Sequence, residues 1–187
     1  MMPRANAIGM LEFSSIATGH DCEDAMLKAA DVELILARSI CSGKYIVIVG
    51  GDVAAVRASV QSGVQNAPDS VIEELVIPNV HEQVFPALTG SVDLSLKTPE
   101  ALGLVESFSA TSILEGADAA VKAAEVLLFR IHVAMAIGGK GYLMLTGSVA
   151  ATRAAVEAAA DVIGARGMLV NKIVIPAPRA ELFREFI

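Results

Sequence analysis

The residues with the clearest chemical potential lie in a short loop between two apolar segments: Cys41, Ser42, Gly43 and Lys44. A cysteine thiolate is a metal ligand and a redox group, and small residues beside it allow chains to approach closely. Cys22, the only other cysteine, lies in a helical pattern and is expected to pack there. Because there is no CxxC motif and a reducing cytosol disfavours a disulfide, cysteine chemistry here means metal binding or redox.

A second loop in the chain has the same character as the first. Ile137 is followed there by Gly138, Gly139 and Lys140, which match Ser42, Gly43 and Lys44 of the first loop. If a ring of subunits brought these loops to its axis, they would line a pore with backbone amides, a hydroxyl and a thiol. We therefore take both loops as candidate pore-lining segments.

The titratable residues do not form a catalytic pattern. His20, His81 and His132 are far apart in the sequence, and none accompanies a nucleophile motif such as GxSxG. His132 is the most notable of them because it leads into the second glycine loop. Glu12 and Glu106 occupy equivalent positions in two similar segments, which indicates a shared structural contact better than catalysis. The chain is not expected to be an enzyme.

One glycine turn resembles a phosphate-binding loop only superficially. Gly50, Gly51 and Asp52 stand between a predicted strand and a predicted helix, where free amides could bind an anion. The spacing does not meet GxGxxG, and an aspartate would compete with an anion for the amides. We interpret Asp52 as a helix cap.

Composition excludes several classes of partner. The 187 residues are 54% apolar and 19% charged with a mean hydropathy of +0.59, so the excess apolar surface is expected to be buried by self-association. A net charge of −7 and a pI near 4.9 disfavour nucleic-acid binding. The sequence has no apolar segment long enough for a membrane helix and no secretory signal pattern, so a cytoplasmic location is expected.

The chain repeats itself in order, with a small drift in spacing. AIGMLE at 7–12 returns as ALGLVE at 101–106, and DAMLKAA at 24–30 returns as DAAVKAA at 118–124. GDVAAVRASV at 51–60 then matches GSVAATRAAV at 147–156, and VIP at 76–78 matches VIP at 174–176. Four ordered matches predict two homologous domains, 1–96 with the cysteine-containing loop and 97–187.

Each half predicts the order β-α-β-β-α-β. In the first half the strands are expected at 7–13, 32–38, 45–49 and 71–77, with helices at 20–30 and after Asp52. Asp21 and Asp24 are expected to cap the first of these helices, and short helical tails should follow Pro78 and Pro178. The fold class is therefore α+β: two tandem ferredoxin-like domains, each an antiparallel sheet with helices on one face.

These motifs resemble those of the bacterial microcompartment (BMC) shell domain. The A-[IL]-G opening ending in glutamate, the D-A-x-x-K-A-A helix and the glycine-rich loop are its features, and both halves carry all three. The resemblance covers nearly the whole chain and is to the tandem, non-permuted class. It implies a structural shell protein: a homotrimeric, pseudohexameric tile that meets other shell proteins. It also implies tile-edge contacts at Lys28 and Lys122, and a central pore for metabolites or electrons.

Within that family, the loop Ile-Cys-Ser-Gly-Lys at 40–44 is similar to one that holds an iron-sulfur cluster on the threefold axis. The resemblance implies that Cys41 of three chains could share a [4Fe-4S] cluster, with Ser42 standing where that loop has proline. Three thiolates and a water could instead hold zinc, or Cys41 could be a thiol that lines the pore without metal.

Two other functions stay open at this point. The chain could be a cytosolic electron-transfer protein in which assembly only serves to hold the iron-sulfur cluster. It could also be a small-molecule-binding regulator with a ferredoxin-like fold, its glycine loops binding an effector. Redox titration separates the first of these from a purely structural tile.

Overall fold

The computed structural model describes residues 5–94 and 100–183, which divide into two compact units. The units are Met1–Val80 and His81–Ile187. The predicted boundary between residues 96 and 97 lies outside the described residues. The first unit ends at Val80, before that predicted boundary, because residues 81–94 belong to the second unit. The Gln83 side chain, for example, bonds there to the backbone of Val126 and Leu128.

The first unit has the predicted order of elements and a four-stranded antiparallel sheet. Its strand order, β2-β3-β1-β4, is that of a ferredoxin-like fold, with β1 and β3 inside. Its elements are β1 (Ala7–Phe13), α1 (Ile16–Ala29), β2 (Glu33–Ile40), β3 (Lys44–Gly51), α2 (Val53–Asn66) and β4 (Val71–Pro78).

The second unit repeats this arrangement, with strand order β6-β7-β5-β8. A short helix, α3 (Val84–Thr89), precedes it and a 3₁₀ turn, Ala180–Phe183, follows it, as the predicted helical tails require. The fold class predicted for the two halves is confirmed. Its other elements are β5 (Ala101–Ser107), α4 (Ala110–Ala123), β6 (Leu127–Val133), β7 (Gly141–Gly147), α5 (Val149–Ala165) and β8 (Leu169–Pro176).

Side-chain caps fix where the helices begin. Asp52 accepts hydrogen bonds from the amides of Ala54 and Ala55, each at 2.9 Å, so its predicted capping role is confirmed. The prediction for α1 was wrong: the helix begins at Ile16, and the cap is Ser15, whose Oγ accepts from the Thr18 amide at 3.4 Å. The acidic residues that were expected to cap it lie inside the helix.

Both helices of the first unit pack on the same face of its sheet. A Cβ added to Gly9 of β1 would come within 2.8 Å of Val56 and Val60, so α2 lies directly against that strand. A Cβ on Gly63 would likewise meet Leu11 of β1 at 2.5 Å. Glycine on one surface therefore receives a branched side chain from the other, and the layers approach closely.

The two units fill one equivalent position in opposite ways. Strand pairing sets Tyr45 of β3 equivalent to Gly141 of β7, because Glu12 pairs with Ile46 and Glu106 pairs with Tyr142. In the first unit the Tyr45 ring lies against Gly19, where an added Cβ would be 2.5 Å from it.

In the second unit the large residue is on the helix. Ile113 occupies the position in α4 that Gly19 has in α1, and it packs against Gly141, where an added Cβ would be 2.7 Å from its Cγ2. The volume is conserved, and only the element that supplies it changes.

This exchange predicts strong coupling between Gly141 and Ile113. We expect Gly141→Ala to destabilise the protein by about 1–3 kcal/mol through overpacking, and Ile113→Ala by about 2–5 kcal/mol through a cavity. The double variant should cost clearly less than the sum, because the truncated side chain makes room for the new methyl group.

Urea unfolding at one protein concentration measures these differences. Gly164→Ala is the matched control: Gly164 lies within α5 with no atom within 4 Å of an added Cβ, so that change should stabilise the protein by about 0.5–1 kcal/mol. Strict additivity of the Gly141 and Ile113 variants would contradict the packing described.

Candidate functional site

The first hairpin turns tightly at the cysteine. A 3₁₀ turn, Cys41–Gly43, joins β2 to β3, with Ser42 at φ 64° and Gly43 at φ 72°. A left-handed conformation is natural for glycine and somewhat costly for serine. Cys41 is half-buried, and Ile40 before it is buried. The thiol therefore lies at the end of a two-stranded projection and outside the core.

An ion pair ties this hairpin to the sheet. The Lys44 ammonium contacts the carboxylate of Glu12, which lies on the inner strand β1 and is only 4% exposed. A charge-assisted hydrogen bond in a partly buried setting is stronger than a surface pair. Lys44, predicted as a pore-lining residue, thus directs its charge to Glu12.

The second unit has the same contact in a weaker form. Lys140 Nζ lies 3.6 Å from Glu106 Oε2, with the lysine and glutamate side chains 40% and 34% exposed. The interpretation of Glu12 and Glu106 as residues with a shared structural contact is therefore confirmed. Water competes for this second pair, so it holds its hairpin less firmly.

The second hairpin is longer and unusual in its backbone. Left-handed φ values occur at Ala134 (54°) and Ala136 (62°) as well as at Gly138 (67°) and Gly139 (83°). A non-glycine residue in this region costs about 1 kcal/mol, so the loop requires contacts that hold it in place. One is the Ala134 amide, which donates to the Lys140 carbonyl at 2.9 Å.

His132 supplies another contact within this hairpin. Its Nε2 donates to the Met135 carbonyl oxygen at 2.7 Å, and its ring stacks on Tyr142 with centroids 5.1 Å apart. The sequence marked His132 as the most notable histidine but gave no role for it. The structure assigns it to support of the loop, because both the ring face and one nitrogen are used in local contacts.

His20 and His81 also have local contacts. The Tyr45 hydroxyl donates to Glu23 at 2.8 Å and lies 3.2 Å from His20 Nδ1. Burial, together with the Glu23 carboxylate, raises the pKa of the Tyr45 phenol to about 12. His81 Nδ1 accepts a hydrogen bond from the backbone amide of Gln83 at 3.3 Å.

Sequence reasoning missed this cluster around Tyr45. The three-residue spacing of His20 and Glu23 in a helix was the one available signal.

The two cysteines have different environments. Cys22 belongs to the core of the first unit, as predicted, and burial raises the pKa of its thiol, which disfavours the thiolate. Neither Cys22 nor Cys41 forms a disulfide. In the part of the chain that the structure describes, no three His, Cys, Asp or Glu side chains form a metal-binding group.

The two predicted edge lysines are held by aspartates one turn earlier. Lys28 Nζ lies 2.5 Å from Asp24, and Lys122 Nζ lies 2.6 Å from Asp118. Lys28 is well exposed, with 73% of its side chain accessible, and Lys122 is less so at 44%. These pairs position the lysines near the C-terminal ends of α1 and α4. Their contact with neighbouring tiles stays a prediction.

The turn before α2 is unsuited to anions. The residues that line a depression there include the acidic Asp31, Glu33 and Asp52. Negative charge at this density repels phosphate, which agrees with the interpretation of Asp52 as a cap. No helix in residues 5–94 or 100–183 is long and apolar enough to cross a membrane.

Comparison with known proteins by family, by sequence and by structure identifies one and the same family. The family model for the BMC domain matches residues 7–80 and 101–178. The chain is 40% identical over 183 residues to the bacterial microcompartment shell protein PduT of Citrobacter freundii, with 98% of each chain covered.

Among solved structures, a microcompartment protein from Desulfitobacterium hafniense is similar at a TM-score of 0.91 and 46% identity, covering 95% of this chain and 98% of that one. The fused permuted hexameric shell protein MSM0275 shares the fold at a TM-score of 0.59 and 22% identity, covering 87% and 84%. On its sequence, its two repeated domains and these likenesses, the chain belongs to the bacterial microcompartment shell proteins and carries two BMC domains in tandem.

Proposed function

We propose that this chain is a structural tile in which three copies form a closed ring of six BMC domains around a central pore. The observation that carries the proposal is the duplication itself: each domain has a hairpin with small residues at its tip, fixed to an inner strand by a lysine-glutamate pair. Three two-domain chains bring six such hairpins to one axis. Related shell proteins of other kinds are the partners that such a tile would meet at its edges, through Lys28 and Lys122.

In this proposal two kinds of hairpin alternate around the pore: the first hairpin of each chain, which is held firmly to its sheet, and the second, which is held less firmly. The first carries Cys41 and Ser42 and is fixed by the buried Glu12 carboxylate. The second carries Gly138 and Gly139, where an added Cβ would meet no atom within 4 Å. Glycine tips leave backbone amides accessible to small polar metabolites that pass through the opening.

Cys41 fits a shared metal centre in its chemistry. Each chain contributes one half-buried thiol on a short, tightly turned hairpin, and threefold symmetry would supply three thiols. Three thiolates can ligate three irons of a [4Fe-4S] cluster, which would add electron transfer or an open iron to the pore. Thiolates are also the ligands that zinc accepts, so the identity of the metal must be measured.

One prediction from this proposal concerns Cys41. Protein purified without oxygen should be a trimer with the visible absorbance of an iron-sulfur protein and about one cluster for three chains, the ratio set by one thiol from each chain. Cys41→Ser should remove the colour, iron and sulfide and leave the trimer assembled, because the pair between Lys44 and Glu12 still fixes the hairpin to the sheet.

Cys22→Ala is the matched control and should keep the colour, since Cys22 is buried in the core of the first unit. A colourless wild-type trimer without iron would refute the cluster but preserve the tile. Stoichiometric zinc in that protein would identify the other metal. A monomer would refute the tile itself.

Another prediction concerns the two ion pairs. Glu12→Gln leaves the Lys44 ammonium without its carboxylate in a partly buried site, so we expect a loss of about 1–3 kcal/mol in the free energy of unfolding. Glu106→Gln alters an exposed and longer contact, so its cost should stay below about 1 kcal/mol.

Urea unfolding of both variants at the same protein concentration measures the difference, because association adds to the apparent stability of an oligomer. Added salt should weaken the pair at Glu106 more than the pair at Glu12. Equal losses in the two variants would show that the first hairpin is not held more firmly than the second.

A further inference from the structure

The second hairpin leaves a run of backbone donors without partners inside the chain. No hydrogen bond among residues 5–94 and 100–183 involves the backbone amides of residues 135–139. Several carbonyl oxygens of the same loop, in contrast, have partners: Met135 accepts from His132 Nε2 at 2.7 Å, Ile137 from the Lys140 amide at 3.4 Å, and Lys140 from the Ala134 amide at 2.9 Å. The amides of this loop must therefore find their acceptors outside the chain.

The backbone conformation of the loop brings such amides together. Left-handed φ values occur at Ala134 (54°), Ala136 (62°) and Gly138 (67°), and the residues between them have ordinary φ values. When left-handed and right-handed residues alternate, successive N–H groups turn toward one side of the chain and form a concave anion site, as in phosphate-binding loops. The second hairpin has the alternation that is typical of such a site.

The charge and the space beside the loop suit a small anion. Lys140 directly follows the loop, and its ammonium lies 3.6 Å from Glu106 with 40% of the lysine side chain exposed. An exposed pair of this length is weak, so the lysine can also attract a second anion. A Cβ added to Gly138 or Gly139 would meet no atom within 4 Å, so a small ion can reach the amides.

The first hairpin is built differently. It is a short 3₁₀ turn, Cys41–Gly43, in which the two left-handed residues, Ser42 and Gly43, are adjacent and do not alternate with right-handed ones. Its lysine contacts Glu12, which is only 4% exposed, so that cation is already neutralised by a buried carboxylate. The two hairpins therefore offer different chemistry: a thiol at the first tip and amide donors at the second.

We infer that the second hairpin binds a small oxyanion, a phosphate or carboxylate group, on the backbone amides of residues 135–139, with Lys140 as the neighbouring cation. One chain forms the whole site, so binding does not require the ring. The position of the site at the pore rests on the proposed function. In that ring, the second hairpins favour small metabolites that carry a phosphate or carboxylate group over uncharged ones.

Isothermal titration calorimetry with inorganic phosphate tests the site, at constant ionic strength and in a buffer without other oxyanions. The wild-type protein should bind phosphate saturably with one site per chain, and acetate should displace it. Gly138→Val should weaken binding at least about tenfold, because a β-branched side chain disfavours the left-handed φ of 67° that the loop has at this position.

Gly167→Val is the matched control for backbone strain. Gly167 lies in the turn after α5 with φ 70°, and an added Cβ there would meet no atom within 4 Å. The substitution therefore imposes the same conformational cost without touching the hairpin. It should leave phosphate binding unchanged, and circular dichroism should show the wild-type secondary structure for both valine variants.

Two changes of charge should move the affinity in opposite directions. Lys140→Gln removes the neighbouring cation, so phosphate binding should weaken by a factor of about two to five, the size of an exposed charge interaction. Glu106→Gln removes the carboxylate that competes for the lysine, so binding should tighten by a similar factor of about two to five. A gain of affinity cannot come from misfolding, which makes Glu106→Gln the decisive variant.

The outcomes separate this inference from the proposed tile. A wild-type trimer that binds neither phosphate nor acetate would overturn the anion site and retain the tile. Equal weakening by Gly138→Val and Gly167→Val, or weaker binding in Glu106→Gln, would also overturn the site. A monomeric chain that binds phosphate with the expected response to Gly138→Val would support the site and refute the tile.

Discussion

The contact between Glu12 and Lys44 is the interaction on which the candidate site depends. A hairpin tip with small residues and left-handed backbone offers little side-chain surface for packing, so a contact with the sheet is needed to fix it. Glu12 lies on an inner strand bonded on both sides, where its position is set by two ladders. Lys44, directly after the tip, thus fixes the turn that carries Cys41 to this strand.

The second domain shows what changes when this constraint is relaxed. Its glutamate and lysine are farther apart and more exposed, and its loop relies on other contacts, including the stack of His132 on Tyr142. Duplication thus allows one hairpin to be kept rigid and the other to vary. The core shows the same kind of variation. Tyr45 packs on Gly19 in the first unit and Ile113 packs on Gly141 in the second, so a large side chain fills the position in both, but it comes from the strand in one and from the helix in the other.

Much of the fold could be predicted from the sequence because the repeat doubles every signal. Alternating apolar strands, a capped second helix (Asp52 in one unit, Ser148 in the other) and the glycine turns each occur twice, so the order of elements followed directly. The start of α1 was predicted four residues too late. Asp21 and Asp24 resembled a cap, whereas Ser15 is the residue in extended conformation that performs this role.

The remaining features of the site depend on distances in three dimensions. Nothing in the spacing of Glu12 and Lys44 shows that they meet, because strand register determines it, although their repetition indicated a shared contact. The association of residues 81–94 with the second unit was missed for the same reason: Gln83 finds its partners some forty residues further along the chain. The thiol at the first tip was recognised by its residue type, by its small neighbours and by the likeness of its loop to one that holds an iron-sulfur cluster.

The central claim is that duplicated domains close into a ring with their hairpins at its axis. Electron cryomicroscopy of the purified assembly tests it most directly, since a density map gives both the symmetry and the position of every hairpin. The account predicts a threefold ring of six domains in which the three Cys41 hairpins face one another across the central opening. Hairpins on the outer rim, or an assembly without threefold symmetry, would contradict it.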